Sequence, residues 1–508
     1  MNTIPALLQA FGNMFQPMPL LAVFAATIIS LIVGVIPAIT GALVVIMVLP
    51  FLFGADPIVA MPFLCALLAS SGMGGAITSV LTGIPGDNAN GPAAIDGFAM
   101  TRQGQAGRAL GLAIGAAVMS VLFGVVFSIL IIPLMTPILM SFKTVEMLLI
   151  ILVALLFLAV LTKGSRVKGL ISAGIGLTLS CVGLQQASAI ARLTFGNMYL
   201  YDGIEPATVL MGILAVPTLL ELQAEGVAIA PVGALAAGKL IELFKGTKEL
   251  FTKHLWTWLR GTLIGYLIGI APALGSTTAV WIAYAQAKQA SKNPDEIGKG
   301  SPEGIVAPES ARGVCASADL LTTLVFGIPG SSIMVVFLAA FLMMGIQPGP
   351  TLVIEHTALA FQMILTMGLS VLIGAVICYF GAPFMVRITQ VSPHMLFAVL
   401  MPIIVLGAYV TREFGVDIIV IGITSLLGLS IKRFGFSAPS IILGFVMGNL
   451  FERFLVRSLD LYGVGLFWSS PTALVLSSII VISIFWSPIK SQIERMRGGK
   501  VAAKGQSA

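Results

Sequence analysis

The residues best suited to bind a ligand lie in a short motif that occurs twice. Gly83-Ile84-Pro85-Gly86 and Gly327-Ile328-Pro329-Gly330 are followed, at the same spacing, by a methionine, Met100 or Met344. A helix cannot continue regularly through glycine and proline at this density, so backbone N–H and C=O groups lose their helical partners. Within a membrane such backbone is tolerated only where it is buried in protein or lines a wet cavity. The repeated motif therefore predicts two broken helices of the kind that form transporter binding sites.

Polar side chains follow each copy of the motif. Asp87, Asn88 and Asn90 follow the first copy, whereas Ser331 and Ser332 follow the second. Free N–H groups at a helix start, with neutral amides and hydroxyls beside them, form a site for an anion. The alternative is a tight helix–helix contact made by small residues. The predicted substrate-binding residues are Gly83, Pro85, Gly86, Asn88, Asn90, Gly327, Pro329, Gly330, Ser331 and Ser332.

Two aspartates could hold a coupling ion or a proton. Asp87 is the acid in the first motif region, and its equally weighted alternative is to cap the helix that follows. Asp319 lies between the apolar runs 314–318 and 320–326, and an acid inside a membrane segment is a functional candidate by default. We predict both as ion-coupling residues. Glu309 is predicted to close a gate, or alternatively to cap the following helix.

A second pair of helix breaks precedes the motifs, at Gly34-x-x-Pro37 and Gly269-x-x-Pro272. Hydroxyl residues after these prolines could bind carboxylate oxygens or Na⁺, although such hydroxyls can also bond back to helix carbonyls. The predicted ion-coupling hydroxyls are Thr40, Ser276 and Thr277. The predicted hinge or gate residues are Pro37, Gly41, Pro272, Gly275 and Glu309.

The composition requires a membrane environment for these elements. Of 508 residues, 58% are hydrophobic and 9% are charged, and the mean hydropathy is +1.05. Soluble domains carry about 25% charged residues. We predict an all-α polytopic membrane protein with about 10–13 transmembrane segments. The segments form two related repeats, of inverted topology because matched loops differ in charge, with broken helices or hairpins at the Gly-x-Pro-Gly motifs.

The charged stretches give the predicted organisation of the chain. A first repeat spans 1–222, a basic cytoplasmic connector 223–260, a second repeat 261–489 and a disordered basic cytoplasmic tail 490–508. The loop 163–168 is a third basic, cytoplasmic candidate. The first apolar run is too long for a signal peptide, so it is interpreted as an uncleaved span. The net charge of +6 resides in short loops, where it orients helices, and does not indicate nucleic acid.

Catalytic and nucleotide-binding motifs are absent from the sequence. There is no phosphate-binding loop, no nucleophile elbow and no metalloprotease helix. Cys65, Cys181, Cys315 and Cys378 are far apart in apolar runs and are predicted to be small buried side chains. We therefore predict no enzyme, no metal and no cofactor other than Na⁺ or H⁺ as a coupling ion.

Longer stretches around these motifs resemble the large membrane subunit of the bacterial tripartite tricarboxylate transporters. The resemblance covers about residues 20 to 490, and its most distinctive stretches are 83–86 with 96–111, 192–196 with 202–204, and 304–311 with 327–330 and 347–350. It implies a multi-pass protein of the bacterial inner membrane. It also implies two partners, a periplasmic solute-binding protein and a small four-span membrane subunit, and a dicarboxylate or tricarboxylate substrate.

The chain departs from the family pattern at several positions. Ala38 and Ala273 follow the two break prolines where glycine is usual, Asp87 replaces a small hydroxyl residue, and Arg312-Gly313 replaces Asn-Asn. These departures leave the substrate open. The predicted function is uptake of an organic carboxylate, coupled to Na⁺ or H⁺, by alternating access in the lipid bilayer. The alternatives are a channel, or a membrane scaffold or sensor that docks a binding protein without coupled transport.

Overall fold

Helices make up most of the residues that the computed structural model describes, which are 3–36, 40–161, 165–185, 189–225, 240–272, 274–388 and 393–482. The predicted all-α polytopic membrane fold is confirmed. The first ten helices are α1 Thr3–Met14, α2 Pro17–Val35, α3 Gly41–Val48, α4 Pro57–Thr82, α5 Gly91–Arg102, α6 Ala106–Met140, α7 Thr144–Leu161, α8 Arg166–Ser180, α9 Pro206–Leu210 and α10 Val216–Glu225. The later helices are α11 Leu240–Lys253, α12 Leu255–Ile270, α13 Gly275–Ala290, α14 Glu303–Phe326, α15 Ser332–Met343, α16 Pro350–Glu355, α17 Thr357–Ile388, α18 Pro393–Arg412, α19 Val416–Arg433 and α20 Ala438–Tyr462, followed by α21 Pro471–Ile482.

Many of these helices are suited to a bilayer. Within the described residues, seven are long and apolar enough to cross a membrane, and four apolar helices are shorter. Two of the shorter ones, Gly41–Leu52 and Ser332–Met343, follow predicted helix breaks. The predicted number of spans stays a prediction, since length and composition alone do not say which short helices cross.

The chain folds into two compact units. Unit 1 comprises residues 1–140 and 204–434, and unit 2 comprises 141–203 and 435–508. All the predicted site residues belong to unit 1. The predicted repeats, 1–222 and 261–489, concern a duplication in the sequence. The division into compact units does not test them, so their boundaries stay predictions.

Two helix pairs in unit 1 make matching contacts. A β-carbon on Gly34 of α2 would overlap the carbonyl oxygen of Ser71 in α4, and one on Gly269 of α12 would lie 2.8 Å from the carbonyl oxygen of Cys315 in α14. Each crossing therefore depends on a glycine that lets two backbones approach. These contacts support the predicted duplication, which together with its inverted topology stays a prediction.

Both Gly-Ile-Pro-Gly motifs end a long helix. Gly83 and Gly327 cap α4 and α14 with φ angles of 74° and 69°, a left-handed conformation that glycine adopts without strain. Their N–H groups bond to the carbonyls of Ser79 and Thr323, each at 3.0 Å. The helix breaks predicted at the motifs are therefore present.

The earlier pair of breaks is present as well. The α2 helix ends at Val35 before α3 begins at Gly41, and α12 ends at Ile270 before α13 begins at Gly275. Pro272 lies in the turn between α12 and α13, whereas Pro37 lies outside the described residues. Hinge motion at these positions stays a prediction.

The predicted connector contains one defined helix. Residues 226–239 lie outside the described residues, but α11 packs on α6 through two close backbone approaches, at Gly111 and Gly246. A bidentate contact joins Arg108 to Glu249, with Nε and Nη2 donating to the two carboxylate oxygens at 2.6 and 2.7 Å. The predicted disordered tail 490–508 lies outside the described residues.

Unit 2 is built on the contact between α8 and α20. Its glycines Gly176 and Gly444 permit close backbone approach, each facing a carbonyl oxygen of the other helix. After α8 the chain forms a small antiparallel hairpin, β1 Gly183–Leu184 with β2 Ala191–Arg192. This is the only sheet among the described parts of the chain.

Candidate functional site: a meeting point of helix starts

Helices that follow the breaks in the chain begin next to one another. A β-carbon on Gly275, the first residue of α13, would lie 3.6 Å from Cβ of Ser331, and one on Gly41, the first residue of α3, would lie 3.9 Å from Ile333 Cδ1. The ring of Trp281 in α13 is likewise in contact range of Gly91, where α5 begins. The starts of α3, α13 and α15 thus converge, and α13 reaches the start of α5.

The last glycine of each motif is held tightly against its own helix pair. A β-carbon on Gly86 would overlap the Cα of Gly75 and lie 2.9 Å from the carbonyl oxygen of Gly34. A β-carbon on Gly330 would overlap Oδ1 of Asp319 and lie 3.1 Å from the carbonyl oxygen of Gly269. The second motif therefore meets a carboxylate where the first motif meets a glycine.

Three predicted site residues carry buried polar atoms that lack a hydrogen bond of good geometry: Asn90 Oδ1, Asp319 Oδ1 and Ser331 Oγ. The Ser331 side chain lies close enough to the Asp319 carboxylate for the two to interact. Asn90 is fully buried and Asp319 is 3% exposed. An unpaired buried polar group costs about 1–3 kcal/mol, so a folded protein usually pairs it. Oxygen atoms left unpaired beside helix breaks fit the binding of a ligand or cation. None of these groups lies in a cluster of His, Cys, Asp and Glu able to hold a metal, and no such cluster occurs among the described residues.

The first motif is linked to α14 by a buried polar network. Asn90 Nδ2 donates to Glu309 Oε1 at 3.2 Å and to the carbonyl of Gly72 at 3.4 Å. Arg312 Nε donates to Glu309 Oε2 at 2.9 Å, and Nη2 approaches the same oxygen at 2.8 Å. The guanidinium fits only because residue 72 is glycine, where a β-carbon would overlap Nη1. A buried cation therefore lies beside the first motif.

Comparison with known protein families agrees with a transporter built around broken helices. Residues 20–443 match the family described as the tripartite tricarboxylate transporter TctA family. This chain belongs to the TctA family. An uncharacterised 52.8 kDa protein from the TAR-I ttuC' 3' region of Agrobacterium vitis is 29% identical over 460 residues, covering 90% of each chain. An uncharacterised protein from the TAR-II ttuC' 3' region of the same organism is 31% identical over 195 residues, 38% of this chain and 81% of that one. No solved structure matches the chain.

Several predicted residues of this TctA-family protein have a visible local role. Asp87 accepts the N–H of Asn88 at 2.6 Å and so caps the one-turn 3₁₀ helix Asn88–Asn90. Its predicted capping alternative is observed at this short helix and not at α5, which follows Asn90, while its ion-coupling role stays a prediction. Thr40 caps α3 by accepting the N–H of Leu43 at 3.4 Å. Glu309 lies inside α14, which begins at Glu303. The alternative that Glu309 caps a helix start is therefore wrong, and its gating role stays a prediction.

Other predicted residues lie at the margin of the site. Asn88 and Ser332 are exposed, and so is Pro85, whereas Pro329 is buried. Ser276 and Thr277 occupy the first turn of α13. Backbone geometry at the helix breaks thus places Gly275 beside Ser331 and Gly330 beside Asp319, while Asn90 lies with Glu309 at the first motif.

Sequence reasoning assigned no role to Asp96, which proves to be a central structural group. Its fully buried carboxylate accepts the N–H groups of Gly298, Gly300 and Ser301 at 2.8–3.0 Å and the hydroxyl of Tyr284 at 2.9 Å. The carboxylate joins α5 to α13 and to the loop before α14. Positive φ angles at Gly298 and Gly300 aim successive N–H groups at one point, a nest for an anion. The closely spaced glycines of this loop were the one signal available in the sequence.

Proposed function

We propose that this TctA-family protein is the large transmembrane subunit of a binding-protein-dependent secondary transporter. It takes up an organic carboxylate, of the dicarboxylate or tricarboxylate class, with Na⁺ or H⁺ as the coupling ion. The observation that carries the proposal is the convergence of helix starts around buried, unpaired polar atoms. Broken helices of this kind form substrate and ion sites in secondary transporters.

The substrate would bind where backbone N–H groups and a buried cation face the same region. Helix starts at α3, α13 and α15 carry positive partial charge, and Ser331 and Asn90 add polar side chains. Arg312 adds guanidinium N–H donors, while its ion pair with Glu309 leaves the two side chains without net charge. A carboxylate anion suits this arrangement of donors.

The coupling cation would bind at the second motif. Asp319 Oδ1 and Ser331 Oγ are unpaired, and the carbonyl oxygen of Gly269 faces the same glycine, Gly330. Carboxylate, hydroxyl and carbonyl oxygens are the ligands that a hard cation takes, and a proton could occupy the same carboxylate. Asp319 is therefore the ion-coupling residue that the geometry favours.

The partners are a solute-binding protein on the extracytoplasmic side and a small four-span membrane subunit. Family membership supports the proposal, since the family is described as tripartite. A bacterial inner membrane location agrees with the multi-pass fold. We propose no catalytic activity and no cofactor.

The test is uptake of labelled citrate into proteoliposomes that contain the chain and both partners. We expect accumulation only when a Na⁺ or proton gradient is imposed, and its loss when the gradient is collapsed. Accumulation that persists without either gradient would contradict the coupling. A channel predicts flux that stops at equal concentrations, and a scaffold predicts partner binding without flux.

Asp319→Asn tests the ion site itself. The variant removes the charge and the proton acceptor but keeps the size, so we expect gradient-driven accumulation to fall at least about tenfold, while citrate exchange across the membrane is reduced less. Glu355→Gln, an acid-to-amide change at an exposed position at the end of α16, is the matched control. Equal accumulation by Asp319→Asn and the wild type would remove Asp319 from the coupling mechanism.

A further inference from the structure

The surroundings of the two Gly-Ile-Pro-Gly motifs are built from matching contacts. Counted from the motifs, Thr78 corresponds to Thr322, and each hydroxyl donates to a carbonyl at the end of a neighbouring helix. Thr78 Oγ1 donates to the carbonyl of Val35 at 2.6 Å, and Thr322 Oγ1 donates to that of Ile270 at 3.5 Å. These carbonyls belong to the last residues of α2 and α12. Both motifs therefore lie against the C-terminal end of a helix.

A backbone carbonyl at such a helix end faces the last glycine of each motif. A β-carbon on Gly86 would lie 2.9 Å from the carbonyl oxygen of Gly34, and one on Gly330 would lie 3.1 Å from that of Gly269. The C-terminal end of a helix carries partial negative charge, and in secondary transporters such ends and exposed carbonyls hold the coupling cation. We call the surroundings of Gly86 the first pocket and those of Gly330 the second pocket.

Each pocket also receives one side-chain oxygen, from a different residue in each case. In the second pocket the oxygen belongs to Asp319, which corresponds to Gly75 of the first pocket. A β-carbon on Gly75 would lie 2.4 Å from Asn90 Oδ1, so this amide oxygen lies where an aspartate at position 75 would begin. The carbonyl of Gly75 accepts from Ser79 Oγ at 2.7 Å. The carbonyl of Asp319 accepts from Thr323 Oγ1 at 2.8 Å, which supports the correspondence.

The orientation of the Asn90 amide is fixed by its neighbours. Its Nδ2 donates to Glu309 Oε1 at 3.2 Å and to the carbonyl of Gly72 at 3.4 Å, and both of these atoms are acceptors. Oδ1 therefore faces the other way, toward Gly75, and it has no hydrogen-bond partner although the residue is fully buried. A bound cation would satisfy this oxygen, because an amide oxygen is an acceptor only.

The charges at the first pocket also favour a cation. Glu309 and Arg312 form an ion pair, with Nη2 at 2.8 Å from Oε2, so their charges cancel. Asp87 adds a negative charge that this pair does not balance, and its backbone nitrogen would lie 3.7 Å from a β-carbon on Gly75. Carboxylate, carbonyl and amide oxygens are ligands that hard cations prefer.

We propose that the first pocket holds a second coupling cation, a sodium ion, bound by Asn90 Oδ1 and the carbonyl oxygens of Gly34 and Gly75, with Asp87 supplying nearby negative charge. The inference rests on the proposed function, in which a cation binds at Asp319, and it adds a second ion and its site. A neutral amide does not take up a proton at physiological pH, so the second ion is Na⁺. Two cations also offset the two charges of a dicarboxylate.

The test is binding of radiolabelled Na⁺ to the purified full-length chain in detergent, at an ionic strength held constant with K⁺. The wild type should bind about two Na⁺ per chain, and Asn90→Ala about one, because one of two oxygen-lined sites is lost. Asp319→Asn should likewise lose one ion, and the double variant should lose both. Asn449→Ala, which removes an exposed asparagine of α20, is the matched control and should bind as the wild type does.

The ion that remains in Asn90→Ala shows that the variant is folded, since an unfolded chain would bind none. Gly75→Ala is a second variant of the same pocket. Its methyl group would take the place of the Asn90 oxygen, so it should lose the same ion. A wild type that binds only one ion, or Asn90→Ala and Gly75→Ala variants that both bind two, would overturn the second cation site.

Uptake measurements separate this inference from the function on which it rests. In proteoliposomes with both partners, citrate uptake should depend cooperatively on Na⁺ in the wild type and lose this cooperativity in Asn90→Ala. Uptake driven by a proton gradient, by a wild type that binds no Na⁺, would keep the proposed function and overturn the second cation site. Two bound ions without uptake under either gradient would contradict the proposed function and still support the site.

Discussion

At the scale of single residues, two buried carboxylates of this chain differ in how many hydrogen bonds they accept. Asp96 accepts four donors and is fully satisfied, whereas Asp319 keeps an unpaired oxygen beside Gly330. A satisfied buried carboxylate stabilises structure, while an unpaired one is available for a ligand. This contrast separates a structural acid from a candidate functional one, although both lie in apolar sequence.

Asp96→Asn should destabilise the protein by about 2 kcal/mol or more, because an amide presents a donor to backbone N–H groups that need an acceptor. The measurement is thermal unfolding in detergent. Tyr284→Phe, which removes one of the four donors, is the control and should cost less. Equal unfolding temperatures for the two variants would show that the backbone nest contributes little.

At the scale of elements, glycine contacts decide how close the helices come. The α2–α4 crossing depends on Gly34, where a β-carbon would overlap a carbonyl oxygen. The helix ends at Gly83 and Gly327 depend on glycine for a different reason, which is the left-handed backbone conformation at these two positions. Close helix crossings therefore allow the candidate site to form, because they bring the helix breaks near one another.

Gly34→Ala should destabilise the protein by about 1–3 kcal/mol or more, since the two helices must separate to admit a methyl group. Gly12→Ala is the control, because nothing lies within 4 Å of that position and alanine is the better helix former. Unfolding in detergent measures both. A Gly34→Ala variant as stable as Gly12→Ala would contradict the close crossing.

The packing of α11 on α6 should depend on pH. The hydrogen bonds from Arg108 hold the pKa of Glu249 below its ordinary value of 4.5. A lowered folded-state pKa means that the pair stabilises the docked helix above the unfolded value and loses this contribution as pH falls through the folded value. We therefore expect amide exchange in α11, corrected for its intrinsic pH dependence, to rise as the pH falls below about 4.5.

Glu249→Gln provides the matched control for this pH effect. It should exchange faster at neutral pH and show no further increase on acidification. Identical profiles for the variant and the wild type would mean that the ion pair does not hold α11 in place.

At the scale of the whole molecule, the candidate site lies in unit 1, whereas unit 2 carries the loop 189–203, which Arg192 joins to Glu452. Membership of a tripartite transporter family is consistent with the proposed site for a translocated ligand in unit 1. Function at this scale depends on which sides of the membrane the loops face. If α8 crosses the membrane, the basic loop before it and the loop 189–203 after it face opposite sides.

A membrane-impermeant thiol reagent tests this orientation. Phe195→Cys should be labelled in intact spheroplasts, whereas Ser165→Cys should be labelled only in inverted vesicles. Ser165 precedes α8 directly, so the two positions bracket one helix and serve as each other's control. Labelling of both from the same side would contradict this topology.

The sequence by itself determined the membrane environment, the all-α fold class and the family. Apolar composition leaves only a membrane fold, and Gly-x-Pro-Gly ends a helix for local reasons, so both follow from residue types and short-range sterics. Asn90, Ser331 and Asp319 were predicted as site residues in the same way, because a polar side chain beside a helix break in an apolar chain is costly to bury unless it binds something.

Only the tertiary structure decided which of these residues meet. Asp319 faces Gly330, and Asn90 reaches Glu309, through helix crossings between distant parts of the chain, and no local pattern encodes such pairings. For the same reason the sequence did not reveal the role of Asp96, whose donors lie some 200 residues away. Nor did it reveal the pairing of Arg192 with Glu452. Long-range backbone approach, made possible by glycines, brings these residues into contact.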